Sequence, residues 1–128
     1  MPTVRDHMAT ELTVLSPDED VLRAMGRMLD ARVSGAPVVD ARGDLVGLLT
    51  QRDCLTVAYQ TLYHGDAAGT VADYMTRQVE TVPADMELAE LIGRFFERPH
   101  RRFPVLEAHQ LVGVISRRDV LRAVLELT

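Results

Sequence analysis

The chain has 128 residues, about one domain's worth, with an apolar fraction of 47% and a charged fraction of 26%, as in ordinary globular proteins. A net charge of −5 with arginine spread along the chain argues against general nucleic-acid binding, which needs a basic face to release counterions. No apolar run approaches the ~20 residues that span a bilayer, Met1-Pro2-Thr3-Val4 lacks a signal-peptide pattern, and a lone Cys54 excludes an internal disulfide, so a cytoplasmic location is expected.

In chain order, Thr3 to Met8 reads as a helical entry turn and Leu12 to Leu15 as a short extended segment. Ser16-Pro17-Asp18-Glu19 has the form of a helix start, with Ser as N-cap, Pro at the first helical position and acids in the first turn. Val21, Leu22, Met25, Met28 and Leu29 follow as an apolar stripe at helical spacing. Ala36–Val39 and Leu45–Leu49 are aliphatic strands about a turn at Ala41-Arg42-Gly43-Asp44. Thr50 caps a helix from about Arg52 to Tyr63, and residues 65–70 form a linker. The second half predicts a strand near Val79–Val82, a helix over Met86–Glu97, strands Phe103–Leu106 and Leu111–Ile115, and a helix over Arg117–Leu127.

The halves repeat each other. Leu45-Val46-Gly47-Leu48-Leu49-Thr50-Gln51-Arg52-Asp53 returns as Leu111-Val112-Gly113-Val114-Ile115-Ser116-Arg117-Arg118-Asp119. Val4-x-Asp6-x-Met8 returns as Val71-x-Asp73-x-Met75, and Pro37-Val38 as Pro104-Val105. An offset of this length is too long for one solenoid turn. It gives two β-α-β-β-α repeats, residues 1–64 and 71–128, in an α/β (α+β) fold. A ~60-residue unit is marginal alone, so the repeats are expected to share a core, packed through their sheets.

Thr50 and Ser116 fit helix N-caps, and Asp53 and Asp119 three residues on fit capping-box acids. The same carboxylates, ionised at a helix start, also suit a ribose diol. Both features in both copies favour a ligand. The four histidines and Cys54 form no metal-like spacing, no nucleophile–base pair or Gly-rich phosphate loop is present, and the chain is expected not to be an enzyme.

With Ser34-Gly35-Ala36-Pro37-Val38-Val39-Asp40, the two Asp-bearing motifs and Val71-Ala72-Asp73-Tyr74-Met75-Thr76, the chain resembles a tandem pair of cystathionine-β-synthase (CBS) domains, a Bateman module. The resemblance covers about residues 4–64 and 71–127. It implies an energy-sensing type of regulatory protein that binds AMP, ADP or ATP, or less readily S-adenosylmethionine or NAD, in clefts between the repeats, with no required cofactor. It also implies a homodimer built through apolar helices around Val21–Leu29 and Met86–Phe96, and an unidentified regulated protein.

Carried over by residue, one cleft takes Asp119, Ser116 and Ile115, base-lining Leu12, Thr13, Val33 and Gly35, and Arg101 and Arg102 for phosphate. The other takes Asp53, Thr50, Leu48, Val79 and His100. At the positions of Arg101 and Arg102 the first repeat has Ser34 and Gly35, and Glu80 matches Thr13, so the Asp119 cleft is the expected phosphate site. The competing reading is a structural dimerisation module with vestigial clefts.

Overall fold

A computed structural model describes residues 1–65 and 69–128. Half of the anticipated linker, at 66–68, lies outside the described residues. The fold mixes helix and strand, as the alternation of 3.6- and 2-residue periods requires. By internal contacts the chain forms two compact units, Thr13–Val79 and Glu80–Thr128, the latter completed by Met1–Leu12. These units are out of phase with the sequence repeat, because the first residues pack with the last half of the chain.

The unit Thr13–Val79 holds helix α2 (Val21–Ala31), strands β1 (Gly35–Val39) and β2 (Leu45–Thr50), helix α3 (Gln51–His64) and the single turn α4 (Val71–Tyr74). β1 and β2 form a two-stranded antiparallel sheet. Two local expectations shift. The segment before α2 is not a strand; only Leu15 bridges Val38 in parallel. The helix begins four residues after the Ser16-Pro17 signal, with Asp20 as the cap that accepts from Arg23 N–H at 3.0 Å. Ser16 instead closes a turn, its carbonyl accepting from Glu19 N–H. The core is aliphatic: Leu15, Val21, Val38, Leu49, Val57 and Val71 are at most 1% exposed. Each such side chain contributes about 1.5–3 kcal/mol by leaving water.

The other unit holds α1 (Val4–His7), β3 (Val82–Pro83), α5 (Leu88–Glu97), β4 (Arg102–Glu107), β5 (Gln110–Ser116) and α6 (Arg117–Glu126). Its sheet runs β3-β4-β5, with β3 parallel and β5 antiparallel to β4. The predicted strand near Val79–Val82 is replaced by a two-residue strand, Val82–Pro83, and residues 79–81 do not pair into the sheet. Residues 1–12 join this unit through backbone bonds: Val4 N–H to the Met86 carbonyl, Arg5 N–H to Ala84, Leu88 N–H to Pro2, and a reciprocal pair between Ala9 and Val114. Val4 is fully buried with Phe103, Leu91, Val105 and Ile115. An ion pair from Arg5 to Glu107 fastens the same segment at the surface.

The two copies of Leu-Val-Gly place their glycine where another segment crosses the strand. An added Cβ on Gly47 would lie 2.6 Å from Met75 Sδ and 2.9 Å from the Thr76 carbonyl. On Gly113 it would lie 2.6 Å from Met8 Sδ and 2.8 Å from the Ala9 carbonyl. The repeated methionines are therefore packed on the repeated glycines. Among the described residues no helix is long and apolar enough to cross a membrane.

Candidate ligand-binding site

Both Asp-bearing motifs sit at a strand-to-helix corner. The chain leaves β2 at Thr50 and β5 at Ser116 in extended backbone and enters a helix at the next residue. Ser116 N–H donates to Asp119 Oδ2 at 2.8 Å, and Asp119 N–H donates to Ser116 Oγ at 3.2 Å. Thr50 N–H donates to Asp53 Oδ2 at 2.9 Å, and Asp53 N–H to Thr50 Oγ1 at 3.1 Å. Each capping box fixes the carboxylate rotamer and leaves one oxygen, Oδ1, turned away from the helix start. The helix terminus favours the ionised acid.

Capping alone does not make a ligand site. Asp6 and Asp73 accept the N–H of Thr3 and Thr70 at 2.9 Å in the same way, at the one-turn helices α1 and α4. The Thr3 bonds hold the exposed Asp6 carboxyl below its ordinary pKa. What distinguishes the two longer corners is their surroundings.

The corner at Asp119 is rich in cations. Arg102 pairs with Ser116 across the β4–β5 ladder, and Arg117 N–H donates to the Arg101 carbonyl at 3.1 Å. Arg117 Nε reaches the His100 carbonyl at 3.1 Å, and the His100 ring lies 5.3 Å from that of Phe103. Partial burial, then repulsion from Arg101, lowers the pKa of the Arg102 guanidinium, while Asp119 opposes the shift. At the matching places in the other unit Gly35 pairs with Thr50, and Gln51 N–H donates to the Ser34 carbonyl at 2.9 Å. Residues 101, 102, 117 and 118 are thus all arginine where 34, 35, 51 and 52 supply one, Arg52. A cavity of about 220 Å³ opens beside Asp119, walled also by His7, Met8, Arg122 and Glu126.

Of the anticipated residues, Asp119, Ser116, Arg101, Arg102, His100 and Leu12 belong to this unit, while Asp53, Thr50, Leu48, Val79, Thr13, Val33 and Gly35 belong to the other. His100 shares a unit with Asp119. Ile115 is a correction. Its side chain is fully buried among Phe103, Leu91 and Val105 and packs the core instead of lining a site. Strand alternation is the reason: Val114, not Ile115, is the counterpart of Leu48, and both are only partly buried. Glu80 pairs with Arg98 at 2.7 Å, so its charge is compensated. Cys54 lines an apolar groove of about 300 Å³ with Met25, Met28 and Leu55. Burial and then Asp53 push its thiol pKa up, away from nucleophile character.

Three residues escaped the sequence reading. Arg117 extends the basic cluster, Arg122 Nη1 stands 3.5 Å from Asp119 Oδ1, and Thr76 Oγ1 donates to Asp53 Oδ1 and Oδ2 at 3.3 and 3.2 Å. Thr76 was visible as a mismatch in the repeat, since Ala9 holds the equivalent place.

The family model of the CBS domain matches residues 4–59 and again 71–126. The fold is similar to that of the CBS-pair protein CBSX2 of Arabidopsis thaliana, solved in complex with AMP, with a TM-score of 0.87, 29% identity, and coverage of 99% of this chain and 98% of that one. The CBS domain-containing protein YhcV of Bacillus subtilis is 29% identical over 121 residues, 94% of this chain and 84% of YhcV. Inosine-5'-monophosphate dehydrogenase of Methanocaldococcus jannaschii is 31% identical over 113 residues, 88% of this chain but only 21% of the dehydrogenase.

Proposed function

The chain belongs to the CBS-domain family, with two copies of the domain, and from that premise we propose that it is a non-catalytic regulatory module that binds an adenine nucleotide at the Asp119 corner and signals the occupancy to another protein. The observation that carries the reading is the pairing of a preset carboxylate with a cation cluster. Asp119 has Oδ2 committed to the cap, and Arg101, Arg102 and Arg117 belong to the same strand-to-helix corner. A nucleoside phosphate matches that layout, with ribose hydroxyls donating to the acid and phosphate oxygens accepting from arginine forks. The AMP held by the similar CBSX2 supports this choice of ligand. S-adenosylmethionine fits less well, because its sulfonium and ammonium would meet the same arginines.

Isothermal titration with AMP, ATP, adenosine and S-adenosylmethionine tests the reading. The Arg102→Leu chain is expected to lose about tenfold in AMP affinity, the worth of one charge-assisted bond, and almost nothing in adenosine affinity. Equal losses for both ligands would remove the phosphate role from Arg102.

The same reading includes a homodimer. Much of α2 and α5 is core: Val21, Ala24, Met28, Leu88 and Leu91 are buried. Among the described residues, the exposed apolar side chains include Leu22 and Leu29 on α2, Leu55, Tyr59, Leu62 and Tyr63 on α3, Phe96 on α5 and Leu121, Val124 and Leu125 on α6. Leu55, Tyr59 and Tyr63 recur every four residues along one face of α3, and contiguous apolar patches are unusual on a monomer. The Tyr59 and Tyr63 rings are already in contact, tilted with centroids 4.6 Å apart, and so cost little further order to bury. Light scattering is expected to give twice the 14.2 kDa chain mass, and Leu55→Asp together with Leu125→Asp to give the monomer. A monomeric wild type would refute the dimer and leave the nucleotide claim untouched.

A further inference from the structure

We propose that Thr76 is a specificity residue that closes the Asp53 motif, so that nucleotide loads at the Asp119 motif first. The inference rests on the nucleotide reading above and adds an order of occupancy to it.

Positions 76 and 9 are equivalent in backbone detail. Leu48 and Thr76 exchange two backbone bonds, of 2.9 and 2.8 Å, and Val114 and Ala9 exchange two of 3.0 and 2.9 Å. Just before them, Met75 and Met8 lie on Gly47 and Gly113 at the same 2.6 Å approach to an added Cβ. Only the side chain differs. The Thr76 hydroxyl donates into the Asp53 carboxylate, within 3.3 Å of both oxygens, while Oδ2 already accepts the Thr50 N–H. Both Asp53 oxygens are therefore engaged before any ligand arrives. Ala9 has no donor to offer Asp119.

Among the described residues, Asp119 Oδ1 has Arg122 Nη1 at 3.5 Å as its neighbour. That pair differs in kind from the Thr76 contact. Arg122 is 60% exposed on a long, mobile side chain, and such surface pairs are weak. Arg122 can swing away and still leave the acid ionised. The Thr76 hydroxyl stands on a backbone pinned by two ladder bonds, one torsion from the acid. A ribose diol brings two donors to a carboxylate. At Asp119 an oxygen accepts them without losing an inward bond, and at Asp53 they displace a hydroxyl.

The test is titration of AMP into wild type, Thr76→Ala, Thr76→Ser and Ala9→Thr. Positions 9 and 76 are exposed, so these exchanges leave the cores unchanged. Wild type is expected to take one tight AMP per chain. Thr76→Ala should raise affinity at the second site about tenfold, the scale of one hydrogen bond to a charged group. Thr76→Ser keeps the hydroxyl and should match wild type, and Ala9→Thr should weaken the first site by a similar factor. Two equal sites in wild type, or identical titrations for wild type and Thr76→Ala, overturn the inference and leave the nucleotide reading standing. No heat in any of the four chains overturns the nucleotide reading itself.

Discussion

Replacing Asp119 with alanine is expected to weaken AMP binding by at least about 100-fold while the fold survives. A ribose diol donates two hydrogen bonds to an ionised carboxylate, each worth about 1.5–3 kcal/mol. Their joint loss, about 3–5 kcal/mol, corresponds to two to three orders of magnitude in affinity. The structural cost is smaller. Ser116 N–H loses its 2.8 Å acceptor, but the Ser116 hydroxyl still caps Asp119 N–H at 3.2 Å. Removing part of a cap costs about 1 kcal/mol. Thermal unfolding should therefore shift by only a few degrees while the titration collapses. Asp119→Asn separates the two roles further, since it preserves the shape of the cap and removes the charge. Unchanged AMP affinity in Asp119→Ala would reduce Asp119 to the role that Asp6 and Asp73 play, capping a helix and nothing more. It would favour the reading of a dimerisation module with vestigial clefts.

The elements were legible where a local signal had no competitor. Thr50 and Ser116 lie between an aliphatic strand and a helix, so one residue serves as strand end and cap, and both boundaries fell within a residue or two of those expected. Ser16-Pro17 carried the same signal and did not start a helix, because Asp20 offers a better cap directly before the apolar face of Val21. Local chemistry proposed two caps, and the packing of Val21 chose between them. The carboxylates of the site were legible for the same reason that four similar boxes exist: the pattern reports helix starts first and ligands only through context. The context was partly visible, in Arg101 and Arg102 against Ser34 and Gly35. It was incomplete for residues far apart in the chain. Thr76 reaches Asp53 across 23 positions, and Ala9 stands across a strand from Val114, 105 positions away. Ile115 failed for a simpler reason, a one-residue error of strand phase that exchanges the core face for the outer face.

Gly113→Ala is expected to destabilise the chain by about 3 kcal/mol, with Gly47→Ala close behind. The added Cβ on Gly113 would come within 2.6 Å of Met8 Sδ, 2.8 Å of the Ala9 carbonyl and 2.9 Å of Met8 Cγ. The methionine tip can move aside. The carbonyl cannot, because it accepts Val114 N–H at 3.0 Å while Ala9 N–H donates to the Val114 carbonyl at 2.9 Å. Overpacking of this kind costs about 1–3 kcal/mol, and stretching a ladder bond adds about 1 kcal/mol. For a chain of this size each kcal/mol lowers Tm by about 4 °C, giving a drop on the order of 10 °C. The helix glycines provide an internal control. Gly26 and Gly93 have nothing within 4 Å of an added Cβ, so alanine there should stabilise by about 0.5–1 kcal/mol through backbone entropy and helix propensity. Opposite signs for Gly113→Ala and Gly93→Ala in urea melts would fix the cause as the crossing segment. A neutral Gly113→Ala would show that residues 8–9 can lift from β5 without cost. Because the same segment sets Ala9 across from Val114, two residues before Ser116, a chain strained at Gly113 should also bind AMP more weakly, although no group that touches the nucleotide has been changed.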